Sequence, residues 1–164
     1  MANLYLGLGT NQGDRLALLE EATYQCCVRM GTLTKASLIY ETAAWGITEQ
    51  EDFLNQCILI VTALPPLECL DIALDIEQQL GRERIQKWGP RTMDIDLLFY
   101  DQLVYQDARL RLPHPFMQDR RFVLRPLADI AVDLVHPELG RTITELLETC
   151  PDDSEVVRLE DNER

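Results

Sequence analysis

At 164 residues and 18.8 kDa, with 46% apolar and 26% charged side chains, the chain is sized for one domain over residues 1–164 that buries a real core, which excludes disordered, collagenous and mucin-like classes. No apolar run nears the roughly 18 residues of a membrane span, and the N-terminus lacks a basic stretch followed by a long apolar one, so a cytoplasmic protein with no membrane partner is expected. A formal charge of −13 speaks against nucleic acid, yet residues 82–125 hold nine basic side chains against six acidic ones, marking one segment suited to an anion.

Along the chain, Asn3–Gly9 alternates and reads as a first strand. From Arg15 to Met30, Leu16, Leu19, Ala22, Cys26 and Met30 recur at three- and four-residue steps, predicting a helix that Gly31 ends in a left-handed conformation. Leu33–Thr42 and Phe53–Leu64 follow as β-rich stretches, the second a buried central strand. Pro65 and Pro66 suit the first turn of a second helix, with Leu67, Leu70, Leu74 and Leu80 as its apolar stripe and Gly81 as its end. Asp94–Tyr100 is a fourth strand. The order β-α-β-β-α-β predicts an α+β, ferredoxin-like two-layer sandwich with an antiparallel sheet and short C-terminal additions. Those additions are an extended pair within 103–112, proline-marked turns near Pro113 and Pro126, a small helix at Ile143–Thr149, and an acidic tail from Pro151 that is expected to fray. Five cysteines without a C-x-x-C pair read as reduced packing residues, and His136 as structural.

Chemistry concentrates in Lys87-Trp88-Gly89-Pro90-Arg91-Thr92-Met93-Asp94-Ile95-Asp96. A strand places Asp94 and Asp96 on one face, about 6–7 Å apart at Cα, a spacing that suits Mg²⁺ ions completed by water and phosphate oxygens. An alternating solvated edge strand is the bland reading of such a pair. Directly upstream, Arg82, Arg84, Lys87 and Arg91 stand in a segment with glycines at both ends, which reads as a polyphosphate clamp able to close. Phe53 beside Asn55 offers a ring to stack on a flat heterocycle and an amide for its edge, with core packing of Phe53 the competing reading. His114, Arg120 and Phe122 add a histidine, a cation and a second ring. Gly7, Gly9 and Gly13 miss the dinucleotide fingerprint spacing, and a tight strand-to-helix turn explains them equally well.

Taken in order, Leu6-Gly7-Leu8-Gly9-Thr10-Asn11, Tyr40-Glu41-Thr42, Phe53-Leu54-Asn55, Glu77 with Leu80-Gly81-Arg82, Trp88-Gly89-Pro90-Arg91-x-x-Asp94-Ile95-Asp96-Leu97, Pro113-His114-Pro115 and Arg120-x-Phe122 resemble the 6-hydroxymethyl-7,8-dihydropterin pyrophosphokinase family up to about residue 145. The resemblance implies transfer of the β,γ-diphosphate of ATP to the pterin hydroxymethyl group, with release of AMP, in folate biosynthesis. It implies Arg82, Arg91, Asp94 and Asp96 as catalytic residues, with two Mg²⁺ ions on Asp94 and Asp96. ATP and its phosphates fall to Glu77, Arg82, Arg84, Trp88, Arg91, Leu97, Arg109, His114 and Arg120. The pterin falls to Thr42, Ala44, Trp45, Phe53, Asn55, Trp88, Asp94 and Phe122, with Phe53 and Phe122 sandwiching its ring. Both substrates are small molecules, and a monomer is expected. Ala43-Ala44-Trp45-Gly46 departs from the family pattern, where one or two prolines precede the glycine. Two other classes fit the element order. An RNA binder would expose paired aromatics over a basic sheet, which the acidic charge opposes, and a nucleotide sensor would leave the aspartate pair idle.

Overall fold

The computed structural model describes residues 1–43, 52–82 and 93–159, apart from the Arg82 side chain. Strand β1 (Ala2–Thr10) lies between β4 (Phe53–Thr62) and β5 (Asp94–Tyr100), antiparallel to both. On the far side of β4 the chain lays down β2 (Gly31–Ala36) and β3 (Tyr40–Thr42), and β8 (Val156–Arg158) extends the sheet beyond β3. A separate hairpin pairs β6 (Tyr105–Gln106) with β7 (Arg111–Leu112). The helices are α1 (Arg15–Met30), α2 (Pro66–Arg82), α3 (Arg121–Ile130) and α4 (Ile143–Glu148). The molecule is a mixed α/β fold on an antiparallel sheet. Among the described residues no helix is long and apolar enough to cross a membrane.

Period-two alternation divides the core into two parts. Leu4, Leu6 and Leu8 of β1, Leu54, Ile58 and Ile60 of β4, and Ile95 and Leu97 of β5 pack under α1 and α2. Asp14 caps α1, its Oδ1 accepting the Ala17 N–H at 3.2 Å, and Leu18, Leu19, Ala22, Cys26 and Met30 form the buried stripe. In α2 the buried stripe is Cys69, Ala73, Ile76 and Leu80; Leu74 is exposed, so the predicted leucine stripe is rotated toward solvent at that position. Beneath the sheet, Tyr5, Cys57, Leu59, Leu98 and Phe99 meet Val123, Leu124, Leu127 and Ile130 of α3 and Ile143 and Leu146 of α4. A register shift opposite Tyr5 and Leu6 lets both Leu98 and Phe99 face this side.

Four expectations change. The face opposite α1 and α2 is partly covered by α3 and α4, so the C-terminal additions supply a partial third layer. Residues 121–130 form a helix despite Pro126, because Val123, Leu124, Leu127 and Ile130 fall on one buried stripe. The described part of the tail, residues 151–159, is held in place: β8 pairs with β3, and buried Leu159 donates its N–H to the Ile39 carbonyl at 2.9 Å. Gly31 is extended (φ 161°), and its reason is proximity, since a Cβ there would lie 2.1 Å from the Val61 carbonyl oxygen. Buried His136 is structural as expected: its Nδ1 accepts the Glu138 and Leu139 N–H groups, and its ring meets Phe99 edge-on.

Candidate active site

Two glycines make the floor. In β1, Gly9 stands between Asp94 and Asn55, and Gly7 between Asp96 and Cys57, all on the face that carries Tyr5 further along. Where Tyr5 fills space with a ring, the next two positions on that face carry no side chain. The trough so formed opens into a cavity of about 790 Å³, a size ordinary for small-molecule sites. Its walls include Thr42, Phe53 and Asn55 from β3 and β4, Asp94 and Asp96 from β5, and Arg120 and Phe122 at the start of α3. The glycines are therefore neither a nucleotide fingerprint nor a turn. Both lie within β1, and the turn falls later, at Gly13, which has φ 68°.

One wall is polar and ordered. Asn55 and Thr42 are both buried, and Asn55 Nδ2 donates to Thr42 Oγ1 at 3.0 Å. That bond leaves the Thr42 hydroxyl proton available to an acceptor. A Cβ on Gly9 would stand 3.0 Å from Asn55 Oδ1, so the glycine also makes room for this amide. Thr42 pairs with Phe53 across β3 and β4, which sets the amide and the ring on one bank of the cavity. On the other bank Phe122 is half-buried, and the Arg120 guanidinium lies 6.0 Å from its ring centre and 5.3 Å from that of Phe116.

Charge at the carboxylate end reaches further. Burial pushes the His114 imidazole below its ordinary 6.5, Asp96 pulls it back, and Arg120 pushes it down again. The ring is therefore within electrostatic reach of both residues, although it does not line the cavity. Its Nδ1 accepts the Phe116 N–H at 3.2 Å, which assigns the proton of the neutral ring to Nε2. Beside Gly7 on the same face, Cys57 is buried. Burial drives its thiol upward, with Asp129 and Asp96 adding to the effect, which favours the protonated packing form although Cys57 also borders the cavity.

Three other expected nucleotide residues have different surroundings. Glu77 of α2 accepts the Ile95 N–H at 2.6 Å through Oε2, fastening the edge strand that carries both aspartates. The Leu97 side chain is buried in the core under α1 and α2. Arg109 pairs with Asp71 at the surface. Ala44, Trp45, Arg84, Trp88 and Arg91, together with the Arg82 side chain, lie outside the described residues, as do the loops expected to close.

The aspartate pair fits Mg²⁺ held jointly with a ligand. Asp94 and Asp96 line the same cavity beside side-chain-free glycines, while among the described residues no three His, Cys, Asp or Glu gather into a protein cage for a metal. A hard cation on these two carboxylates would take its remaining ligands from the cavity side.

Sequence reasoning missed the far wall, where residues 151–153 and Asp119 line the cavity. Asp152 Oδ2 accepts the Arg121 N–H at 3.0 Å, and its Oδ1 accepts from the Ser154 N–H at 2.9 Å and from the Ser154 hydroxyl. Partial burial works against the Asp152 charge, yet these bonds and Arg121 hold its carboxyl below the ordinary value of 3.8. Val156 and Val157 before Leu159 were a usable strand signal for this segment, obscured by the acidic residues around them.

The sequence profile of 7,8-dihydro-6-hydroxymethylpterin-pyrophosphokinase matches residues 5–132. A protein of Methylorubrum extorquens named 2-amino-4-hydroxy-6-hydroxymethyldihydropteridine pyrophosphokinase is 46% identical over 148 residues, spanning 90% of this chain and 92% of that protein. Its namesake in Synechocystis is 44% identical over 144 residues, spanning 87% of this chain and 73% of that one. Among solved structures, an HPPK-DHPS in complex with substrates superposes with a TM-score of 0.74 at 15% identity over 90% of this chain, and the match spans 43% of that longer chain, a likeness of fold.

Proposed function

The chain belongs to the 7,8-dihydro-6-hydroxymethylpterin-pyrophosphokinase family, and from that premise we propose that it transfers the β,γ-diphosphate of ATP to the hydroxymethyl oxygen of 6-hydroxymethyl-7,8-dihydropterin, releasing AMP, as a step in folate biosynthesis. The observation that carries the reading is one cavity lined by two aspartates, two phenylalanines and a buried amide. Transfer of a diphosphate asks little covalent chemistry of a protein; it asks for alignment and for compensation of charge.

In this reading Phe53 and Phe122 hold the pterin ring between them, while Asn55 and the Thr42 hydroxyl bond its polar edge. Because Thr42 already accepts from Asn55, its hydroxyl proton can be donated to an acceptor on the pterin edge. Arg120 offers a guanidinium to phosphate oxygens from the N-terminal end of α3. Glu77 keeps β5, and with it Asp94 and Asp96, in register with the floor. Asp94 and Asp96 would hold Mg²⁺, two ions in our assignment, which would supply charge neutralisation for the ATP phosphates. Arg82, Arg84, Trp88 and Arg91 complete the nucleotide side, with Leu97, Arg109 and His114 at its margin, and Ala44 and Trp45 complete the pterin side. These roles rest on the motif resemblance.

The core is assigned to the ferredoxin-like class. The order β5, β1, β4 and then β2 with β3, with α1 and α2 joining strands on one face, supports this. We assign the chain as a single-domain cytoplasmic monomer, and the −13 charge supports work without nucleic acid.

Replacing Asp96 tests the site. Asp96→Ala should lower kcat by about 10³-fold or more while the melting temperature stays within a few degrees of the parent. Near-normal turnover in that variant refutes the metal assignment.

A further inference from the structure

The start of α3 carries two residues of the proposed site, Arg120 at the capping position and Phe122 in the first turn, yet it has no cap of its own. Arg120 is extended (φ −124°, ψ 102°) and makes no side-chain cap bond, and an arginine has no acceptor to offer. The acceptor comes from 31 residues away. Asp152 Oδ2 takes the Arg121 N–H at 3.0 Å, and the other carboxylate oxygen is held by the N–H and hydroxyl of Ser154. A negative group also suits the positive end of a helix.

The segment that brings Asp152 there is tied at both ends. Cys150 donates its N–H to the Leu147 carbonyl of α4 at 3.3 Å, and β8 pairs along β3, with Val156 opposite Thr42. One strap thus joins α3, which carries Phe122, to β3, which carries Thr42, and residues 151–153 form the cavity wall between them. All of it lies beyond residue 132, where the family profile ends.

We propose that Asp152 is a positioning residue for pterin binding, capping α3 from the C-terminal strap so that Phe122 is held at its place on the cavity wall. The inference rests on the reading that Phe122 stacks on the pterin. Asp152 acts through Phe122, so its loss is felt in pterin affinity and hardly in the transfer step.

The test measures binding of 6-hydroxymethyl-7,8-dihydropterin, in the presence of a non-hydrolysable ATP analogue and Mg²⁺, by the full-length chain. Asp152→Ala should weaken binding about fivefold to tenfold, the scale of a lost cap, with kcat at saturation changed less than about twofold. Asp152→Asn keeps one acceptor oxygen for the Arg121 N–H but turns its NH2 toward the Ser154 N–H, so it should bind more tightly than Asp152→Ala and less tightly than the parent. In a Phe122→Ala background, Asp152→Ala should add less than about twofold, because the two act as one unit. If Asp152→Ala does not fold, Asp152→Ser, one bond too short to reach the Arg121 N–H, takes its place under the same criteria. Unchanged affinity in a folded Asp152→Ala, or losses that multiply in the double variant, overturns the proposal while a large Phe122→Ala effect leaves the site reading standing. Pterin affinity unaffected by Phe122→Ala overturns both.

Discussion

The two faces of the sheet are made by the same strands and differ by one residue of register. On one face β1 presents Leu4, Leu6 and Leu8, each buried under α1 and α2. On the other it presents Tyr5, Gly7 and Gly9, and only the tyrosine joins the core under α3. Neighbouring strands repeat the contrast: Ile95 and Leu97 against Asp94 and Asp96, Leu54 and Ile58 against Asn55 and Cys57. A continuous aliphatic layer on one side allows polar groups and empty space on the other, because stability is supplied from beneath. Binding chemistry is thereby placed on rigid strands.

The contrast can be broken from either face, and the largest effect is expected on the aliphatic side. Leu6→Ala removes a fully buried side chain and should cost about 2–5 kcal/mol by denaturant unfolding, while pterin KM, measured well below the new melting temperature, stays within about twofold. A large KM change in that variant would mean that the faces are not independent.

Gly9→Ala sharpens the comparison from the cavity side. The added methyl would press on Asn55 Oδ1 and so disturb its bond to Thr42. Pterin KM should rise several-fold, on the order of 1 kcal/mol, with kcat nearly unchanged. Steady-state kinetics with varied pterin at saturating ATP checks this.

The smallest effect concerns pH. Burial lowers the His136 imidazole below its ordinary 6.5, with nearby Glu138 opposing in part. A lowered folded-state value means that the unfolded chain takes up the proton first. Its contribution is therefore complete above pH 6.5 and is lost as pH falls through the folded value. Urea midpoints should decline from pH 7 toward pH 5, and His136→Asn should flatten part of that slope. An unchanged slope would remove His136 from the balance.

Much of this arrangement is legible in the residue pattern. Alternation gives β1, the continuous run Cys57-Ile58-Leu59-Ile60-Val61 gives β4 as a buried central strand, three- and four-residue steps give α1 and α2, and D-x-D on a strand gives the facing of the two aspartates. Other parts are hidden for physical reasons. Pro126, the sixth of ten residues, masks the stripe of α3 because it removes a backbone donor inside the helix, a loss outweighed by the burial of Val123, Leu124, Leu127 and Ile130. Gly7 and Gly9 look like a turn because a sequence does not reveal that their neighbours on adjacent strands are Asp96, Asp94, Cys57 and Asn55. The cap by Asp152 joins positions 31 residues apart, and only the packed tail brings them together.

The most direct measurement is the identity of the nucleotide released when the protein is incubated with ATP, Mg²⁺ and 6-hydroxymethyl-7,8-dihydropterin. AMP in equal amount with pterin diphosphate is the predicted result. ADP would mean transfer of a single phosphoryl group, ATP left intact would mean binding without chemistry, and either would contradict the assignment of this cavity to diphosphate transfer.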